Sequence, residues 1–114
     1  MKLAKLSALV IGVFACLAIG GVANAAPAEL PPGHLTFLGG GWTQPLVRVQ
    51  MDIPFQNPHS CATTDGYIVD STLPALQLLT SILLTAYASH QQVRLVVDGC
   101  VLGRPNVIGA YLVS

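Results

Sequence analysis

The stretch Leu76-Gln77-Leu78-Leu79-Thr80-Ser81-Ile82-Leu83-Leu84-Thr85-Ala86-Tyr87-Ala88-Ser89-His90-Gln91-Gln92-Val93-Arg94-Leu95-Val96-Val97 changes its period part-way along. Up to Tyr87 the apolar residues recur in steps of three and four, as Leu76, Leu79, Leu83, Ala86 and Tyr87 do, which is one face of a helix. From Gln92 the period is two, with Val93, Leu95 and Val97 on one side, which is a half-buried strand. A helix running straight into a strand sets the class as α+β. Leu78, Ile82 and Leu84 widen the apolar face, so the helix is expected to press on a sheet and on something else besides. Tyr87, on the apolar side, is expected in the core.

Working outward, Asp70-Ser71-Thr72 offers capping oxygens and Pro74 falls in the expected first turn, while His90 closes the helix at its negative end. Before the helix, residues 67–69 read as a short strand. Residues 45–53 read as the clearest strand, with Val47, Val49, Met51 and Ile53 alternating against Arg48, Gln50 and Asp52. Residues 54–66, with two prolines and Asp65-Gly66, read as a loop carrying Cys61. Residues 35–38 suggest another short strand, followed by Gly39-Gly40-Gly41 and Trp42. After the helix, Asp98-Gly99-Cys100 reads as a turn, residues 102–106 as a loop and residues 107–113 as a final strand. The expected order is β-β-β-α-β-β in one domain, residues 35–114. The proline-rich residues 26–34 read as a flexible lead-in.

The N-terminus carries an address. Lys2 and Lys5 precede an apolar run over residues 6–21, and Ala23-Asn24-Ala25 supplies the small residues a signal peptidase reads. Residues 1–25 are therefore expected to be a signal peptide, removed after Ala25 in a bacterial chain bound for the periplasm or the exterior. The run is short of the roughly 20 residues of a membrane span, so no span is expected after cleavage. Cys16 lies within this run. Val13-Phe14-Ala15 before it is a poor lipidation context, because Phe14 is bulky where a small residue is usual.

Without residues 1–25 the chain holds Arg48, Arg94 and Arg104 against five carboxylates, a net charge of −2 with neutral histidines. No basic stripe remains for a phosphate backbone, so nucleic acid is not expected as a partner. Two cysteines remain, Cys61 and Cys100, and an oxidising compartment favours their pairing as a disulfide. Charge is sparse for so small a domain. Either the core is large for the length or another subunit covers apolar surface, and the wide helix face favours a homo-oligomer.

Catalytic chemistry finds little support. There is no C-x-x-C, G-x-S-x-G, P-loop or dinucleotide fingerprint, and His34, His59 and His90 lack metal-ligand spacing. Asp65, Asp70 and Asp98 have turn and capping roles open to them. The expectation is no enzyme, no metal and no cofactor. Trp42, Thr43 and Gln44 beside the glycine turn are the expected ligand contacts: an indole to stack on a sugar ring, with hydroxyl and amide groups to bond it.

The segment Leu83-Leu84-Thr85-Ala86-Tyr87-Ala88-Ser89-His90-Gln91-Gln92-Val93-Arg94-Leu95, with Ile108-Gly109-Ala110-Tyr111-Leu112, resembles the binding subunits of subtilase-cytotoxin and pertussis-like AB5 toxins. There a helix runs into a Gln-x-Val-Arg-aliphatic strand and a small-residue strand closes the fold. The resemblance implies an OB-like barrel and a ring-forming, glycan-directed binding module whose helices line a channel. The single cysteine pair departs from that family. No sugar-binding serine motif is matched, so no binding residue is carried over. The alternative is a monomeric periplasmic protein that binds or inhibits an envelope protein, with its helix buried within one chain.

Overall fold

In the computed structural model, which describes residues 26–114, the order is β1 (Ala28–Glu29), β2 (Leu35–Gly40), β3 (Val47–Met51), β4 (Tyr67–Val69), α1 (Leu76–Ser89), β5 (Gln92–Val101) and β6 (Arg104–Val113). The six strands form one sheet in the order β1-β5-β6-β4-β3-β2. Neighbours are antiparallel except β4 and β6, which run parallel through Ile68 and Asn106. The residues β1 and β2 lie at opposite ends of the sheet yet are consecutive in the chain. Between them Gly33 bridges Val93 of β5, so one bent stretch supplies both ends of the sheet.

Six strands stand where five are expected, because residues 28–29 pair with Val96 and Val97 of β5. The lead-in is tied down further. Leu30 is buried, and its N–H donates to the Leu95 carbonyl at 2.8 Å. The imidazole of His59 meets the Ala26 carbonyl at 2.9 Å. A proline-rich composition conceals this order, since the bonds that hold the segment come from the far end of the chain.

Alternation places Val49, Val93, Leu95, Val97 and Val107 inside, where Leu79, Leu83 and Ala86 of α1 meet them. The helix starts later than its capping residues suggest. Asp70 bonds the N–H and hydroxyl of Thr72 in a tight turn of its own, and Ala75 precedes α1 with no side-chain cap. His90 ends the helix in the left-handed conformation, with its N–H on the Ala86 carbonyl. Tyr87 is not core: it is 42% exposed, because α1 turns only the Leu79–Leu83–Ala86 stripe inward.

The second hairpin is tighter than the sequence suggests. Strand β5 continues through Asp98, Gly99 and Cys100 as an irregular stretch, and β6 begins at Arg104. The two-residue turn, Leu102 at φ 50° and Gly103 at φ 76°, has the double positive φ that matches strand twist, which Gly103 supplies without strain. Cys61 and Cys100 are disulfide-bonded with their Cα atoms 5.7 Å apart, which fastens the long β3–β4 connection to β5. Among the described residues no helix is long and apolar enough to cross a membrane.

Closing a loop of 39 residues is worth about 4 kcal/mol by chain entropy. The Cys61→Ala/Cys100→Ala variant is expected to lose about that much stability in chemical denaturation. An unchanged midpoint would show that the loop is held by other contacts.

Candidate functional site

Two concave surfaces lie at opposite ends of the β2–β3 ladder. The first is a cleft of about 210 Å³ at the end where Leu35 faces Met51. Register slips there between Leu35 and Phe37, and this bulge sets Thr36 at the cleft wall. Gln50 projects from the outer side of β3, and Thr64 and Asp65 arrive from the β3–β4 connection. Its apolar part includes Phe55 and Tyr67, whose rings stack with centroids 4.9 Å apart. The Tyr67 hydroxyl accepts from the Gln56 N–H at 2.9 Å, and burial raises its pKa, so it stays protonated.

Asp65 is the fixed point of this cleft. Arg104 grips its carboxylate with two bonds, Nε to Oδ1 at 2.6 Å and Nη2 to Oδ2 at 3.1 Å. Arg48 lies 3.4 Å from Oδ2, and both Arg48 and Gln50 donate to the Asp65 carbonyl at 2.8 Å. The Arg48 guanidinium also sits over the Phe37 ring, 5.2 Å from its centroid. The bond from Arg104 above all, then the nearby charges of Arg104 and Arg48, holds the Asp65 carboxyl below the usual carboxylate range. It is therefore a standing anion and acceptor. Thr36 and Thr64, both exposed, add hydroxyl-bearing side chains to the cleft lining.

The second surface is a groove of about 720 Å³ between α1 and the β2–β3 hairpin. Leu38, Gly40 and Leu46 line one wall; Leu76, Thr80 and Leu84, one ridge of the helix, line the other. The lining carries no charged residue. Trp42, Thr43 and Gln44 stand on the loop that rims this groove, between the lining residues Gly41 and Pro45. Trp42 is fully exposed at a relative accessibility of 102%, with φ at 62°. These three residues are together on one loop, as expected, but apart from the cleft that gathers polar side chains around stacked rings.

The cleft residues escape sequence reading for a physical reason. Asp65 and Thr64 sit in a loop whose place depends on the disulfide and on Arg104, 39 residues away. The one available signal is the pair of arginines spared in a chain so short of charge. No family model, curated protein or solved structure matches this chain.

Because the folded pKa of Asp65 is lowered, its contribution to stability is present above the unfolded value of 3.8 and is lost as pH falls through the folded value. Asp65→Asn is therefore expected to lower Tm at pH 7, with the gap to the parent protein closing in acid below 3.8. A gap independent of pH would show that the carboxylate charge is not what Arg104 and Arg48 hold.

Proposed function

We propose that the chain is an exported, non-enzymatic binding module of OB-like fold that self-associates and recognises a cell-surface glycan. The observation that carries the glycan reading is the cleft at Asp65. It joins an oriented carboxylate, the side chains of Thr36 and Thr64 and the amide of Gln50 to an apolar part that includes the half-buried Phe55 ring, stacked on buried Tyr67. Polyhydroxylated rings need this mixture: acceptors and donors at the edge, an apolar face below. A carboxylate locked as an anion by two arginines suits acceptance of sugar hydroxyls. It does not suit proton donation, and glycoside hydrolysis needs a second carboxyl that the cleft lining lacks.

The OB-like reading rests on the parallel β4–β6 contact, the helix between β4 and β5, and the bent stretch that reaches both ends of the sheet. In such barrels the outer face of the second and third strands is a common ligand surface, and Arg48 and Gln50 lie on the matching strand here. Self-association rests on α1, whose Leu78 and Leu84 are 63% and 56% exposed on a helix without a single charge. Export rests on residues 1–25, which lie outside the described residues, and on the disulfide. The uncharged groove supports a second reading, in which the protein binds or inhibits an envelope protein.

Glycan-array binding of the oxidised protein tests the first reading. Gln50→Ala or Thr64→Ala is expected to weaken a bound glycan by about 10-fold, a lost hydrogen bond being worth roughly 1–1.5 kcal/mol. Trp42→Ala is expected to leave it unchanged. Loss confined to Trp42→Ala would move the site to the groove rim, and an array without any binder would count against glycan recognition.

A further inference from the structure

Strand β1 brings the start of the described chain to β5, beside a small cluster of titratable groups. Ala28 pairs with Val97 and Glu29 with Val96, and the same antiparallel register, continued, sets Pro27 across from Asp98. Ala26 is the next residue out. Its carbonyl meets the His59 ring, with Nε2 at 2.9 Å. The same Nε2 lies 3.7 Å from Oδ1 of Asp98. His59 comes from the β3–β4 connection and Asp98 from β5, and each stands two residues from one half of the Cys61–Cys100 disulfide, which holds the two segments together.

The tautomer of His59 follows from its partners. A carbonyl only accepts, so Nε2 carries the proton. Nδ1 is then bare, and it is buried without a hydrogen-bond partner among the described residues. A metal on Nε2 would drive the proton to Nδ1, where no acceptor meets it, so the cluster does not suit a metal. Asp98 lies beyond hydrogen-bond distance of Nε2. No arginine is left for it either: Arg48 and Arg104 meet Asp65, and Arg94 meets Glu29. Asp52 lies against His34, and Asp70 bonds Thr72. The chain has no lysine beyond Lys5.

We infer that Asp98 and His59 form a seat for the chain's own new amino terminus, the α-ammonium of Ala26. The inference rests on the export reading above, with cleavage after Ala25. Hydrolysis of the Ala25–Ala26 bond takes up one water and leaves a carboxylate on Ala25 and an α-amine on Ala26. An α-amine has an ordinary pKa of about 7.7–8.0, so it is mostly an ammonium at pH 7. It is the one cationic group gained by a chain whose lysines leave with residues 1–25. Pro27 supplies the aim. A residue before proline is confined to extended backbone, with ψ at about +120 to +160°. That range sets the nitrogen and the carbonyl oxygen of the residue on one side, about 3 Å apart. The Ala26 oxygen is already on His59, so the ammonium arrives beside the ring that Asp98 faces. The Asp98 side chain, 44% exposed, is free to turn onto it. The other charge near the start of β1 is Glu29, whose carboxylate is bonded to Arg94. Before cleavage the same nitrogen is an uncharged peptide N–H. Processing therefore adds an ion pair at the head of a strand that is only two residues long.

Mass spectrometry of the exported, oxidised protein gives its first residue, and a nuclear magnetic resonance titration gives the pKa of its terminal amine. Three chains are compared: the parent, Asp98→Asn, and one with a single glycine added before Ala26. The expected result is a parent that starts at Ala26, with an amine pKa above the ordinary range and at least about half a pH unit above that of Asp98→Asn. The added glycine moves the charge about 3.8 Å along and is expected to return the amine to the ordinary range. Because the folded pKa is raised, the stabilisation is present below the unfolded value and is lost as pH rises through the folded one. The Tm gap between parent and Asp98→Asn is therefore expected at about pH 6.5 and is expected to close by about pH 10.5. Equal amine pKa values in parent and Asp98→Asn overturn the seat and leave export standing. Should Asp98→Asn not fold, equal values in the parent and the glycine-extended chain overturn it instead. An exported chain that starts elsewhere overturns the cleavage reading, and the seat with it.

Discussion

Cys61 lies in the long connection between β3 and β4, and its bond to Cys100 is what turns that connection into structure. Strand β4 is three residues long and meets β6 through a single parallel step. Left to itself, so short a strand at the end of a proline-containing loop would be a weak join. With the loop fastened to β5, Thr63 donates its N–H to the Gly103 carbonyl at 2.8 Å, and Asp65 arrives within reach of Arg104. Arg48 and Gln50 then tie the Asp65 backbone to β3. The disulfide, the β5–β6 turn and the arginine pair are thus one linked arrangement, and the cleft is its product.

Charge is distributed to match. All three arginines of the described residues meet a carboxylate, Arg104 and Arg48 on Asp65 and Arg94 on Glu29, and the His34 ring lies 3.0 Å from the Asp52 carboxylate. The pairs are largely exposed and add little stability each, so their value is positional. Elsewhere the chain is nearly bare of charge. That bareness coincides with the β2–β3 hairpin end and the helix ridge facing it. A small domain free of function would lose nothing by placing lysines or glutamates at these sites, and a solvated edge would gain from them. One end of the hairpin is polar and fixed; the other is apolar and open.

Much of the fold is legible in the residues. The change of period at Gln92, the alternation through Val49 and the cysteine pair lead to α1, β5, β3 and the disulfide, because each signal is local or nearly so. Strand β1 is not legible. Its two residues sit among prolines, and only Val96 and Val97 explain them. Tyr87 misleads because periodicity gives a face but not its width, and α1 buries a narrow stripe. Trp42, Thr43 and Gln44 are legible as an exposed loop. The cleft is not: Thr36 owes its position to a bulge, while Thr64 and Asp65 owe theirs to a bond and an arginine nearly 40 residues off.

The most direct measurement is a titration of the isotope-labelled, oxidised protein with simple monosaccharides, followed by backbone amide shifts. The account predicts saturable shifts for at least one sugar, confined to Thr36, Gln50, Thr64, Asp65, Gly66 and Tyr67. No shift with any sugar, or shifts gathered instead at Leu38, Leu46 and Leu84 in the groove, would contradict it.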